Sequence, residues 1–275
     1  LVHVLLGSES AFVSDLFDGS ERWLGIKVGS DNEMTPRLRI VSSPYAITAK
    51  TVKGNSLFVD DSGSVGIGTT APNADTKLHV NEGTILFDGT SGSTPASGAG
   101  TRFMWIPSMK AIRAGSINGT QWDDANIGLY SAAFGLNNTS SGAYSFAAGS
   151  GNSVTGVASS AFGLSNTVTR PYSYAFGNNS SATGSYSFAF GRYAEAQAFH
   201  EIALGRFNVV SGTWGTWIDS EPLFILGNGA DDLNRSNALT VFKDGRTTIG
   251  SETRGEMLTV EGTVESKSGG FKFPD

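Results

Sequence analysis

A 14-residue unit is written six times without a break between Ser131 and Asn208, and its register never slips. The copies read SAAFGLNNTSSGAY, SFAAGSGNSVTGVA, SSAFGLSNTVTRPY, SYAFGNNSSATGSY and SFAFGRYAEAQAFH, followed by the opening EIALGRFN of a sixth. So strict a period implies a chain that winds once per unit and stacks each coil on the last. At a stacking distance of ~4.8 Å the block would rise roughly 25–30 Å.

With the unit numbered 1 to 14, position 3 is alanine in every copy: Ala133, Ala147, Ala161, Ala175, Ala189 and Ala203. Position 5 is always glycine: Gly135, Gly149, Gly163, Gly177, Gly191 and Gly205. Position 1 is serine in five copies. The large residues gather at position 4 (Phe134, Phe162, Phe176, Phe190), position 2 (Phe146, Tyr174, Phe188) and position 14 (Tyr144, Tyr172, Tyr186), with Tyr130 just ahead.

Side chains alternate across a strand, so positions 1, 3 and 5 share one face and positions 2, 4 and 14 the other. A 14-residue coil encloses little space. Its inside takes the small face, with Ala161 and Ala175 pointing in, and the aromatic face points out. Ser140 is expected on the exposed side. An exposed ladder of Phe and Tyr would form an apolar patch of several hundred Å² or more, which water does not tolerate on a monomer. A symmetric closed assembly of copies would cover it. Glycine at position 5, and at position 12 in Gly142, Gly156 and Gly184, fits tight bends. Asn138, Asn152, Asn166 and Asn208 share position 8, where asparagine either adopts the left-handed backbone or bonds neighbouring amides.

Composition agrees with a β fold: of 275 residues 36 are glycine, and only 16% are charged. The net charge of −6 and the lack of a Lys/Arg cluster argue against nucleic-acid binding. There is no cysteine, hence neither a disulfide nor a thiolate metal site. No apolar run reaches the ~20 residues of a membrane helix. The opening LVHVLLGSES has neither a basic start nor a cleavage site, and the chain reads as a piece of a longer polypeptide.

Four segments are expected. Residues 1–55 form a small β unit and connector, with strands at LVHVLL and Arg22–Val28. Residues 56–130 form a β module carrying VGIGTTAP, with two further strands around Pro107-Ser108. Residues 131–210 are the roll. Residues 211–275 hold a second such module. The two modules share strand, Asp-Gly or Asp-Ser-Gly turn, strand ending in Ile-Gly, polar loop and Leu-x-Val: Val65, Ile67, Gly68, Leu78, Val80 against Thr247, Ile249, Gly250, Leu258, Val260.

Residues that could carry chemistry are sparse. Between 131 and 200 the only acid is Glu195, which argues against the paired carboxylates of a glycan-cleaving spike. The pairs Asp60-Asp61, Asp123-Asp124 and Asp231-Asp232 read as surface turns, and no calcium loop is present. His3, His79 and His200 are scattered, without zinc spacing. His200 takes the tyrosine slot and reads as an interface residue. Gly63, Gly66 and Gly68 lack phosphate-loop spacing and read as strand bending. The five tryptophans read as core or interface. Positions 9 and 11 mix Thr, Ser, Val, Glu and Gln, which argues against the regular threonine ladders of an ice-binding solenoid. No catalytic, metal or cofactor site is expected.

The unit Ser-x-Ala-Phe-Gly…Asn…Ser/Thr-x-x-Gly-x-Tyr over residues 131–208 resembles the head repeats of trimeric autotransporter adhesins, the YadA-like head. That resemblance implies a left-handed parallel β-roll with three chains side by side. The flanking VGIGTTAP…KLHV and GGFKFPD are similar to segments of phage tail fibres. The expectation is thus an all-β fold, a parallel β-roll or β-solenoid flanked by small β modules, assembled as an intertwined homotrimeric fibre. Its interface would comprise Phe134, Phe146, Phe162, Tyr174, Phe176, Phe188, Phe190, Tyr144, Tyr172 and Tyr186. The expected function is that of a non-enzymatic extracellular adhesin-like head or stalk, on a cell surface or virion, meeting a protein or glycan receptor. The alternative is a phage tail fibre.

Overall fold

A computed structural model of the chain describes residues 21–40, 57–250 and 257–264. The LVHVLL strand, the connector after Ile40 and the closing FKFPD lie outside these. The chain divides into two compact units, Leu1–Ile85 and Leu86–Asp275. Strands are the regular structure of the described residues, apart from one 3-10 turn at Asp124–Asn126.

In the second unit each 14-residue copy forms one coil. Positions 2–6 make a long strand, as in Ala132–Leu136 and Tyr174–Asn178. Positions 9–10 make a short one, as in Thr139–Ser140 and Val168's strand Thr167–Val168. Successive coils pair in parallel with like on like: Ala147 faces Ala133 on one side and Ala161 on the other. The short strands stack into a separate five-stranded sheet. This is a parallel β-solenoid of 14-residue turns, as the period requires.

The alanines of position 3 are fully buried in all six coils. Facing them across the narrow interior is position 10, with Ser140, Val154, Val168, Ala182 and Ala196, also fully buried. Ser140 is therefore an inside residue, contrary to the expectation from alternation. The cause is local. Position 7 sits in the left-handed region in every coil, for example Asn137 at φ 52°, Ser165 at 55° and Tyr193 at 53°. That turn inverts the alternation, so even positions face inward along the short strand. Position 14 is left-handed as well, from Tyr130 at φ 58° to His200 at 60°, and restores the first phase.

Asparagine at position 8 takes the second of its two expected roles. Asn138 Oδ1 accepts from both the backbone amide and Nδ2 of Asn152 at 2.9 Å. Asn152 Oδ1 does the same for Asn166 at 3.0 and 2.9 Å. These are buried amides satisfied by one another, as a dry interior demands. Position 5 has positive φ throughout, and a Cβ there would lie 1.8–2.2 Å from the carbonyl oxygen of the next glycine along the stack. Position 12 lies at a bend as expected, but Gly142, Gly156 and Gly184 do not have positive φ. A Cβ on any of them would meet the next coil's carbonyl at 2.0–2.2 Å, so close stacking is what selects glycine.

The long sheet continues past the repeats to twelve strands. Ahead of the first coil, Ala111–Ile117 runs parallel to Ala132–Leu136 and forms a hairpin with Gly100–Ile106. After the sixth, Pro222–Asn228 runs parallel to Ile202–Arg206 and then pairs antiparallel with Asn237–Phe242. Arg113 and Ile225 fall in register with the interior alanines, and Gly115 and Gly227 with the glycines. Each end of the roll thus carries a half-coil outside the strict period.

In the first unit Arg22–Leu24 pairs antiparallel with Leu38–Ile40. Leu57–Val59 pairs antiparallel with Val65–Ile67, which runs parallel to Leu78–Val80. Asn237–Phe242, Thr247–Ile249 and Leu258–Val260 in the second unit repeat this pattern. The detail carries over: Ile67 O accepts from Asn81 N at 2.9 Å, Ile249 O from Glu261 N at 3.0 Å.

Candidate interaction face

The outward large residues of the roll separate into two ladders. Rings on the long sheet stack in the order Phe134, Phe146, Phe162, Phe176, with centroids 5.6, 4.9 and 5.0 Å apart. Phe176 then meets Phe188 at 5.4 Å and Phe190 at 6.5 Å. The ladder is not a single repeat position. In the second coil position 4 is Ala148, and Phe146 at position 2 supplies the missing ring. Tyr174, also at position 2, is exposed beside this run, and Phe190 is 54% exposed.

The tyrosines of position 14 form a second ladder at the left-handed corner. Tyr130 stacks on Tyr144 at 5.1 Å; Tyr172 stacks on Tyr186 at 4.9 Å, and Tyr186 on His200 at 4.7 Å. Ala158 interrupts it between Tyr144 and Tyr172. Near its end Trp217 meets His200 edge-on at 6.2 Å, and Trp214 lies over the Arg170 guanidinium at 3.7 Å. Offset aromatic stacking adds to area burial within one chain, yet both ladders keep faces in water. Tyr144, Tyr172 and Tyr186 are each exposed.

The acids serve local structure. Asp60 Oδ1 accepts from the amides of Ser62 and Ser64 and from the Ser62 hydroxyl, and those donors hold its carboxyl below the usual range. Asp123 and Asp124 accept from the amides of Gly98 and Thr94 at 2.8 Å. Asp231 closes a turn on the amides of Leu233 and Asn234. Glu195 and Asp232 both pair with Arg235. His79 Nδ1 accepts from Asn73 N at 3.2 Å. Among the described residues no cluster of three His, Asp or Glu side chains could hold a metal.

Two titratable groups that pattern reading did not single out are fully buried: Arg113 and Glu201. Burial lowers the Arg113 guanidinium to about 10 and pushes the Glu201 carboxyl up to about 8. Neither has surface through which a substrate could reach it. The signal for Glu201 was on the page, since it breaks the run of serines at position 1.

Comparison with known protein families, with curated proteins and with solved structures returned no match.

Proposed function

We propose that this chain is a non-enzymatic segment of an extracellular homotrimeric fibre, an adhesin-like head or stalk carried on a cell surface or virion. Three rolls would pack side by side through their aromatic ladders. The observation that carries this reading is the phenylalanine ladder: rings from consecutive coils stack outside the roll, where a lone chain leaves them wet. A second and third copy would bury that stripe, and a closed symmetric assembly leaves none of it over. The small, sealed interior supports a rod rather than a container. The engagement of the acids in turns and ion pairs supports a binding and spacing role over hydrolysis. The external partner would be a surface receptor, protein or glycan.

Light scattering on the purified chain tests the reading. A mass three times 28.7 kDa is expected. A stable, well-behaved monomer would sink it.

A further inference from the structure

A stack of parallel strands ends in an edge of unpaired backbone amides and carbonyls. In the short sheet the amides point to the following coil. Thr139 N donates to Asn152 O at 2.8 Å, Ser153 N to Asn166 O at 2.9 Å, and Ser181 N to Ala194 O at 2.8 Å. Two residues on, the amides of positions 11 and 12 share one carbonyl of the next coil. Ser141 and Gly142 share Val154 O, Thr155 and Gly156 share Val168 O, and Thr183 and Gly184 share Ala196 O. The first coil is therefore left with an orphan carbonyl at Asn138, while Ser140 O keeps one backbone donor, Gly128 N, beside the parallel bridge of Ile127 to Ser140. The fifth is left with orphan amides at Glu195, Gln197 and Ala198.

Side chains of the correct sign meet each of these. At the first end Trp122 Nε1 donates to Asn138 O at 3.0 Å. Ser140 O accepts from Gly128 N and from Arg113 Nη2, both at 3.0 Å. At the other end Asn208 Oδ1 accepts from Glu195 N while its Nδ2 donates to Glu195 O, each at 2.8 Å. Glu201 Oε2 accepts from both Gln197 N and Ala198 N at 2.7 Å, the same pair of amides a following coil's carbonyl would take. Arg and Trp supply donors to the carbonyls of the first end, Glu201 Oε2 serves as acceptor for the amides of the other, and Asn208 meets both groups of Glu195 there. All four side chains are buried.

We infer that Trp122, Arg113, Asn208 and Glu201 are terminal plugs that close the short sheet at both ends to a strand from another copy of this chain. Without them each end would present unpaired backbone donors and acceptors at the spacing of a further coil. Such ends are complementary head to tail, and a heterologous contact of that kind grows without closing. The inference concerns the ends of the roll and stands apart from the proposed lateral trimer.

Hydrogen exchange on the full chain, with Glu201→Ala, Glu201→Gln and the double variant Glu201→Ala/Asn208→Ala, tests it. Glu201→Ala should speed exchange of the Gln197 and Ala198 amides by about tenfold or more, while Thr155 and Gly156 keep the wild-type rate. Glutamine keeps an acceptor oxygen and should hold both amides within about threefold of wild type. The double variant should gain mass with concentration in light scattering where the wild type does not. The inference is overturned if the two amides stay protected in Glu201→Ala, if Glu201→Gln exchanges as fast as Glu201→Ala, or if the double variant keeps the wild-type mass. Should Glu201→Ala unfold the roll, Thr155 and Gly156 lose protection too. Glu201→Gln then decides alone: protection at 197 and 198 supports the plug, and its loss overturns it.

Discussion

Replacing Gly177 by alanine tests the stacking geometry most directly. The new Cβ would lie 1.9 Å from Gly191 O and 2.9 Å from its carbonyl carbon. Both are backbone atoms of the next coil, so neither can swing aside as a flexible side chain would. Gly177 also sits at φ 123°, where an L side chain is strained by ~1–3 kcal/mol. Separating the two coils weakens one or two ladder hydrogen bonds, each worth about 1 kcal/mol net. The stiffer unfolded chain returns ~0.4–1 kcal/mol. The balance is a loss of roughly 2–4 kcal/mol, or about 4–16 °C in melting temperature for a unit of this size.

The control is Gly151→Ala, at position 7 of the second coil. Gly151 has φ 68°, and its nearest neighbour would be Ser165 Oγ at 3.3 Å, a group able to rotate. Other coils already place Asn137, Ser165 and Asn179 in this slot. The left-handed backbone costs an L residue ~1–2 kcal/mol, partly offset by the same unfolded-state gain, so the net effect is about 1 kcal/mol or less. Urea or thermal unfolding of the two variants side by side separates them. Equal losses, or a silent Gly177→Ala, would mean that coil contact is not what fixes position 5.

Ala175→Leu should cost ~1–3 kcal/mol or more by overpacking the interior, whereas Thr169→Leu, on the exposed side of its coil, should be nearly silent in the same melt. Phe176→Ala removes the ring that links Phe162 to Phe188. If the rolls pack as proposed the loss recurs in every copy, so the assembly should melt far lower and shed mass in light scattering, while Glu195→Gln, Asp124→Asn and Asp232→Asn leave mass and cell binding almost unchanged. Burial, opposed by the Ala198 and Gln197 amides and by Lys243 and reinforced by Glu221, raises the Glu201 carboxyl from 4.5 to about 8. The folded chain then holds a proton that the unfolded chain releases. Glu201's contribution is whole below about pH 4.5 and is lost as pH rises through about 8, at no more than about 1.4 kcal/mol per pH unit. The stability difference between wild type and Glu201→Gln, followed from pH 5 to 9, should fall with that sign; a rise would contradict it.

The winding, the stacking register and the alanine interior were legible because one physical demand, like over like at each coil, is written at the same position six times. The second wall was less legible. Alternation was carried from position 3 through position 10, but position 7 adopts the left-handed backbone as Asn137, Ser165, Asn179, Tyr193 and Phe207, a set with no common turn signature. The contents of position 10, Ser140, Val154, Val168, Ala182 and Ala196, are small or apolar in each coil and carry the clue. The terminal half-coils escaped for another reason. Ile112 pairs with Ala132 and Ile202 with Phe224, spacings of 20 and 22 residues, so insertions hide them from a 14-residue frame.

The aromatic face shows what such a frame does and does not specify. Residue type places the rings outside at positions 2 and 4, but it does not say which of the two carries the stack at each coil. The stack steps from position 4 to position 2 at Phe146, where Ala148 leaves a gap, and meets Phe188 more closely than Phe190 near its end. Neighbouring long strands are close enough for a ring at either position to fill the same space, so continuity of the stripe is kept while the column is not. At the ends a neighbouring short strand is missing, and the side chains of Arg113, Trp122, Glu201 and Asn208 meet the groups it would have paired, beside the Gly128 amide at Ser140 O.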